Sequence, residues 1–385
     1  MNEIEKLIAE LCPNGVEWKE LGDREVAKLS RGKVMSKQFL EENRGVFPVY
    51  SSQTANNGEI GRISTFDFDG EYITWTTDGA NAGTVFYRQG KFSITNVCGL
   101  VDIQSDKLLT KFVYYYLTIS TKKHVSSGMG NPKLMSNVMS KIKIPIPPLK
   151  IQEEIVQILD KFTEYVTELT AELTAELTDR QKQYTYYRDK LLSFEDEVYQ
   201  VEWKAFGEVA KLKNGKDWKE LGRGTVPVYG SGGEMGEFVD QFSYDKPTVL
   251  IPRKGSISNL FYLDKPFWNV DTIYYTEIDR GQIIPKYLYY FMKTLDLKNM
   301  ATNPTRPSLT QSIIDKIKLP VPSLQIQERI VQVLDNFDAV CNDLNIGLPK
   351  EIELRQKQYE YFRDKLFTFT AEGVYTDSTV QTRPN

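Results

Sequence analysis

The sequence predicts an α+β protein, with two globular domains of mixed α/β type joined by two long antiparallel helices forming a coiled coil, and a pseudo-two-fold internal repeat. Three observations predict it. A block of sequence recurs after 175 residues, each copy follows a glycine-rich stretch of short β-branched and aromatic runs, and the block itself carries apolar residues at helical spacing over about 40 residues. The chain of 385 residues is long enough for such a duplicated design.

The repeat sets the order of the elements. Arg180-Gln181-Lys182-Gln183-Tyr184, continuing to Tyr187-Arg188-Asp189-Lys190-Leu191, returns as Arg355-Gln356-Lys357-Gln358-Tyr359 and Phe362-Arg363-Asp364-Lys365-Leu366. Lys141-Ile142-Lys143-Ile144-Pro145-Ile146-Pro147 returns as Lys316-Ile317-Lys318-Leu319-Pro320-Val321-Pro322, and Ile151-Gln152-Glu153 as Ile326-Gln327-Glu328. Nearer the start, Glu17-Trp18-Lys19 matches Glu202-Trp203-Lys204, and Val26-Ala27-Lys28-Leu29 matches Val209-Ala210-Lys211-Leu212. Between these blocks only scattered anchors align, such as Pro48-Val49-Tyr50 with Pro227-Val228-Tyr229 and Asn96-Val97 with Asn269-Val270. The expected division is therefore a first variable domain at 1–144, a first long helix at 145–194, a second variable domain at 195–319, a second helical region at 320–369 and a tail at 370–385.

In the variable domains, Gly70 to Trp75 and Thr248 to Ile251 read as strands, and Phe112 to Leu117 and Tyr287 to Met292 as short helices whose aromatics belong to the core before base stacking is considered. Gly230-Ser231-Gly232-Gly233-Glu234-Met235-Gly236 misses the dinucleotide-binding spacing and reads as a turn. The first long helix follows the stop signal of Pro145, Pro147 and Pro148 and would run roughly 60 Å at 1.5 Å per residue. A stripe that long needs a partner helix, which the second copy supplies. Leu169, Leu173, Leu177, Tyr184 and Tyr187 on the first, with Leu344, Leu348, Tyr359 and Phe362 on the second, are the candidate spacer residues. Gly347 and Pro349 should kink or break the second helix, because proline removes an intrahelical bond and clashes with the preceding turn. The first helix carries Thr-Ala-Glu-Leu twice, at Thr170 to Leu173 and Thr174 to Leu177, where the second has Gly347-Leu348-Pro349, and this leaves a matching kink open.

The formal net charge of −4 argues mildly against nucleic acid until it is divided along the chain. Residues 1–144 carry +2 and 206–319 carry +3, whereas the helical segments 145–194 and 320–369 carry −3 and −2. The cations fall in predicted loops beside glycine, serine and asparagine. In the first half these candidate DNA contacts are Arg31, Lys33, Lys122, Lys123, His124, Asn131 and Lys133; in the second they are Lys213, Asn214, Lys216, Arg253, Lys254, Asn303 and Arg306. Taken singly, each reads as a solvated loop charge. Together they have the chemistry of an interface: Arg and Lys for phosphate or guanine, Asn for adenine, and glycine for close approach of the backbone.

Catalysis finds little support. One histidine and three scattered cysteines leave no room for a His-based metal site, a Ser-His triad or a disulfide framework, and no metal site is expected. No polar-Pro-Pro-aromatic methyltransferase tetrapeptide is present, since Asn131-Pro132 is followed by Lys133, and no phosphate-binding Gly-x-x-x-x-Gly-Lys loop exists. Glu17-Trp18-Lys19 spells a nuclease-like Glu-x-Lys, but its recurrence at Glu202-Trp203-Lys204 points to a scaffold role. No apolar run reaches membrane-spanning length, and the charged start lacks a signal core, so a cytoplasmic location is expected.

Taken together, these features resemble the specificity (S) subunit of type I restriction-modification systems over nearly the whole chain. The resemblance rests on the run from Ile144-Pro145 through Gln152 to Ile155, matched at 319–330, and on Gly347-Leu348-Pro349 followed by the block Arg355 to Leu366. It implies two target-recognition domains, each reading half of a bipartite double-stranded DNA sequence. The helices would set the spacer and dock two methyltransferase (M) subunits, and restriction (R) subunits would join to cleave unmodified DNA. S-adenosylmethionine, ATP and Mg would belong to those partners, with no cofactor in this chain, and the chemistry would be N6-adenine methylation of a base flipped from the stack. A coiled-coil adaptor with two protein-binding domains, and a self-sufficient DNA enzyme, are the competing readings.

Overall fold

The computed structural model describes residues 3–126, 130–194, 201–302, 307–342 and 347–367. They fall into two compact units, one of Met1–Thr170 with Leu354–Asn385 and one of Ala171–Glu353. The segments predicted at 145–194 and 320–369 are thus each divided between the units.

The first unit contains α1 (Glu3–Leu11), β1 (Glu17–Glu20), β2 (Ala27–Arg31), α2 (Lys37–Glu42), β3 (Arg44–Tyr50), β4 (Glu59–Ile63), β5 (Phe68–Thr76), β6 (Val85–Ile94), β7 (Cys98–Ile103), α3 (Thr110–Ser120), α4 (Ser136–Met139), β8 (Lys143–Ile146) and the opening of helix α5 (Leu149–Ser193). Strands β2-β7-β5-β6-β3-β4 make one sheet, antiparallel except where β3 lies beside β6. Strand β5 is buried on both faces. Ile73 and Trp75 point to α3 and to Ile151, Ile155 and Leu159 of α5, while Phe68 and Tyr72 close a second cluster with Phe92, Ile94 and Leu100.

The second unit contains β9 (Glu202–Ala205), α6 (Phe206–Val209), β10 (Ala210–Asn214), β11 (Arg223–Gly230), β12 (Gly233–Val239), β13 (Thr248–Pro252), β14 (Phe261–Leu263), β15 (Trp268–Asn269), β16 (Ile273–Ile278), α7 (Pro285–Met292), α8 (Leu297–Met300), α9 (Gln311–Ile314), β17 (Lys318–Val321), α10 (Leu324–Asn342) and the start of α11 (Leu348–Leu366). Its strands keep the first unit's neighbours, but β14 and β15 stand where β6 is continuous, so they form two sheets, β10-β16-β13-β14 and β12-β11-β15. The register Ala27↔Ile103 recurs as Ala210↔Ile278, Tyr50↔Ile94 as Tyr229↔Asn269, and Trp18↔Pro145 as Trp203↔Pro320. Glu17-Trp18-Lys19 and its copy are therefore scaffold strands. One anchor needs correcting: Ile94-Thr95, not Asn96-Val97, occupies the place of Asn269-Val270. Thr95 N donates to Tyr50 O at 2.9 Å and Val270 N to Tyr229 O at 3.0 Å, and this ladder overrides the Asn-Val identity two residues away.

The repeated Pro-rich motif has a physical purpose. Gln152 is fully buried at the opening of α5; its carbonyl accepts from Leu109 N at 2.9 Å, and its amide donates to Lys107 O and Pro147 O, each at 2.7 Å. Gln327 does the same for Ile284 N, Gln282 O and Pro322 O. A buried amide is tolerated when such partners satisfy it. About two turns further on, Asp160 accepts from Lys111 Nζ and Tyr115 Oη at 2.7 Å each, and Asp335 from Lys286 and Tyr290. These side chains fix each helix against the aromatic helix of its own unit.

Helix α5 is continuous over 45 residues, longer than the predicted 40, and the doubled Thr-Ala-Glu-Leu introduces no break. The segment lacks glycine and proline, and Thr163, Thr178 and Thr185 return their hydroxyls to the carbonyl four residues back. The second helical region is two helices as expected. Pro349 sits in the first turn of α11, where its missing N–H costs nothing. Pairing within each unit is antiparallel. In the first, Phe162 meets Phe362 at 5.5 Å and Thr163 meets Tyr359 at 3.1 Å; in the second, Tyr187 stacks on Phe337 at 5.8 Å while Tyr184 lies beside Asp338 and Cys341.

Candidate nucleic-acid interface

Three loops of the first unit are tied into one surface. They are Ser51–Gly58 between β3 and β4, residues 77–84 after β5, and Ser126 with residues 130–135. Gly79 N donates to Pro132 O at 3.1 Å, Leu134 N to Thr77 O at 2.9 Å and Ser126 N to Lys133 O at 3.0 Å. Asn81 Nδ2 reaches Thr54 Oγ1 at 3.0 Å and joins the first loop to the other two. Asn131 and Lys133 are exposed on this surface, and Lys122, Lys123 and His124 form an exposed 3-10 turn leading into Ser126. Arg31, at the end of β2, donates its Nε to Ser136 Oγ at 3.3 Å. Lys33 is drawn off to an ion pair with Asp67 at 2.6 Å.

The second unit repeats the construction with different side chains. Leu309 N donates to Arg253 O at 2.9 Å, as Leu134 does to Thr77, and Lys254 faces Ser308 where Asp78 faces Lys133. The turn Ser231-Gly232 joins this surface, since Asn259 Nδ2 donates to Ser231 O at 3.4 Å. The run Gly230 to Gly236 is thus a tight hairpin, Gly230 pairing with Gly233. Lys254 pairs with Asp271 at 2.8 Å, and Arg253 lies over the Tyr274 ring at 5.9 Å. Lys213 is in the sheet, paired with Glu277 at 3.2 Å on neighbouring β16, while Asn214 and Lys216 stay exposed beyond it. Asn303 and Arg306 lie outside the described residues.

Two glycines read as points of close DNA approach serve the fold instead. A Cβ on Gly32 would lie 1.8 Å from Ile94 O, and one on Gly215 2.1 Å from Val270 O, so the chain passes there only without a side chain. Several exposed polar residues of these loops and of α8 escaped the sequence reading. Lys298 is exposed on α8 and lines a cleft of about 240 Å³ with Ser256 and Asn259; it stands 175 residues after Lys123, so the repeat itself could have indicated it. Gln53, Asn56, Asn57 and Asn81 were missed because no cation accompanies them.

Of the helix residues, Leu169, Leu173 and Leu177 are half-buried on α5, Leu348 is half-buried on α11, and Leu344 lies outside the described residues. Tyr184 is 6% exposed and packs inward, whereas Tyr187 keeps 44%. Tyr184, Tyr359 and Phe362 therefore spend their contacts within their own units. Burial pushes the Tyr115, Tyr184, Tyr287 and Tyr290 hydroxyls well above the ordinary tyrosine range. Among the described residues no three His, Cys, Asp or Glu side chains are grouped to hold a metal ion, and no helix is long and apolar enough to cross a membrane. What the loops can offer is hydrogen bonds and positive charge to phosphates and base edges.

The family model described as the type I restriction modification DNA specificity domain matches twice, at residues 13–179 and 200–354. A type I specificity subunit of Mycoplasma pneumoniae is 31% identical over 356 residues, 89% of this chain and 96% of the relative. A type I restriction enzyme specificity subunit of Haemophilus influenzae is 33% identical over 378 residues, 92% of this chain and 96% of its own. A chain from a solved type I restriction-modification assembly shares the fold with a TM-score of 0.66 at 16% identity, over 92% of this chain and 98% of that one.

Proposed function

This chain belongs to the type I restriction-modification DNA specificity family, and on that premise we propose that it is the non-catalytic sequence-reading subunit of such a complex. Each unit reads one half of a bipartite duplex target. The helices set the spacer between the halves and dock two methyltransferase subunits, and restriction subunits complete the assembly. S-adenosylmethionine, ATP and Mg act on those partners, in the cytoplasm. One observation carries the reading: two loops are joined by equivalent backbone hydrogen bonds in both units, Leu134 N to Thr77 O and Ser126 N to Lys133 O in one and Leu309 N to Arg253 O and Thr302 N to Ser308 O in the other, with Asp78 and Lys133 in one unit exchanged for Lys254 and Ser308 in the other. A duplicated frame with different exposed side chains is what two independent half-site readers require.

Methylome sequencing of a host carrying the chain with the methyltransferase subunits of its own system tests this. The expected result is a two-part motif with an adenine methylated in each half. Deleting Thr174–Leu177 removes roughly 6 Å of helix, and the spacer should contract by about one or two base pairs while both half-sites persist. A contiguous motif, or an unchanged spacer after the deletion, would refute the proposal.

A further inference from the structure

The two units differ most sharply at one place in their shared frame. Tyr50 and Tyr229 are equivalent, each paired with a glutamate on the next strand, yet eight residues separate Tyr50 from Glu59 where four separate Tyr229 from Glu234. Beneath the longer connection lies Arg88, only 3% exposed, with no carboxylate partner among the described residues. Its Nη2 donates to Asn57 O at 2.8 Å, its Nε donates to Thr74 Oγ1 at 3.1 Å, and its guanidinium carbon sits 3.6 Å from the centre of the Tyr50 ring. The equivalent position in the second unit, opposite Thr248 as Arg88 is opposite Tyr72, is Leu263, which packs in the apolar cluster containing Tyr229. A buried cation is expensive unless hydrogen-bonded, so an arginine in an apolar slot needs the loop it holds. That loop is unusual in itself. Asn56 and Asn57 both take left-handed φ values, +49° and +53°, with Gly58 following at +80°, and both asparagines are exposed. Among the described residues their side-chain amides have no hydrogen-bond partner, and Thr54 beside them is tied through Asn81 to the surface that carries Asn131 and Lys133.

We propose that Ser51–Gly58 is a base-reading loop peculiar to the first unit, that Asn56 and Asn57 offer its amides to an adenine edge, and that Arg88 is the positioning residue holding the loop in its reading conformation. The inference rests on the half-site reading above. Adenine is the base that presents an acceptor and a donor side by side to one amide in the major groove. The tight turn of the second unit has neither the asparagines nor the cation, so its half-site is read by other loops.

The test uses the full chain assembled with its methyltransferase subunits, and reads the motif by methylome sequencing and by competition with duplexes substituted at single positions. Asn56→Gly with Asn57→Gly keeps the left-handed backbone and removes both amides. It should lower discrimination at one position of one half-site by roughly tenfold, leaving the other half-site and the spacer untouched. Arg88→Leu, which installs the second unit's residue, should blur that same position, with Arg88→Lys intermediate; if Arg88→Leu does not fold, the glycine pair decides alone. Unchanged discrimination in the glycine pair, with a normal two-part motif from the unaltered chain, would overturn this inference and leave the half-site reading intact. Absence of any two-part motif from the unaltered chain would overturn both.

Discussion

Replacing Gln152 with methionine keeps most of the side-chain volume and removes every polar atom beyond Cγ. Three partners of a fully buried side chain then lose their hydrogen bonds: Pro147 O in a buried place, and Leu109 N and Lys107 O in partly buried ones. At about 1 kcal/mol of net stabilisation per bond, with about 1–3 kcal/mol more for an N–H left unpaired, the low end applying to a partly buried one, the first unit should lose about 4 kcal/mol. That is a large part of the ~5–15 kcal/mol that holds a typical domain together. Two units in one chain make a single unfolding free energy ill-defined, so the measurement is hydrogen exchange followed by mass spectrometry. Peptides covering Leu109 and the opening of α5 should lose protection, while those covering Ile284 and α10 keep it. Gln327→Met should give the mirror image, through Ile284 N, Gln282 O and Pro322 O. A loss below about 1 kcal/mol would refute the reasoning that these glutamines lock each helix to its own domain, as would equal loosening of both units.

Three further outcomes follow from charge and burial. Cys12, Cys98 and Cys341 are all buried, and burial pushes the Cys98 thiol up to about 12, so iodoacetamide at pH 8 should label none of them rapidly until urea is added; fast labelling of any one would contradict its burial. Because burial raises the Tyr115, Tyr184, Tyr287 and Tyr290 hydroxyls above their unfolded value near 10, their contribution to stability is fully present below pH 10 and is lost as pH rises beyond it. The melting temperature should hold from pH 7 to about 9.5 and then fall, with tyrosinate absorbance appearing cooperatively on unfolding; smooth ionisation of all tyrosines in the folded chain would contradict this. Lys122→Ala and Lys298→Ala should each weaken duplex binding and reduce the salt slope by about 0.9, whereas Lys213→Ala, already paired with Glu277, should change it little; fluorescence anisotropy across a salt series decides.

What the sequence made legible was whatever the repeat wrote twice. The scaffold role of the segments around Trp18 and Trp203, the aromatic helices and the long helix were visible because two copies agree, and the division of the second helical region was visible from Gly347 and Pro349, which the first copy lacks. Gln152 and Gln327 could be located but not explained, since two of each one's three partners lie 43 to 45 residues earlier across a turn that only the folded chain closes. Reading failed where a tertiary neighbour decides a residue's role. Lys213 looked like a free loop cation until strand register placed Glu277 beside it, and Gly32 looked like an opening for DNA until Ile94 O was found against it. The Asn-Val anchor failed because a two-residue identity carries less information than a hydrogen-bonded ladder.

The way the loops are held explains how one frame can display two different surfaces. Gly79 to Pro132, Leu134 to Thr77 and Leu309 to Arg253 are bonds between backbone groups, which every residue except proline can make at the donor and any residue at the acceptor. Side chains at 78 and 133, or at 254 and 308, can therefore be exchanged without dismantling the surface that displays them. The loop after β3 and its counterpart are held by side chains as well, through Asn81 and Arg88 in the first unit and Asn259 in the second. There the loop and its support must change together: a longer loop over Leu263 would lack the Arg88 donor, and Arg88 under the shorter turn would lose the Asn57 carbonyl and keep only Thr74 Oγ1 and the Tyr50 ring. The units thus vary freely at the positions tied by backbone alone, and in coupled pairs where a side chain ties the loop.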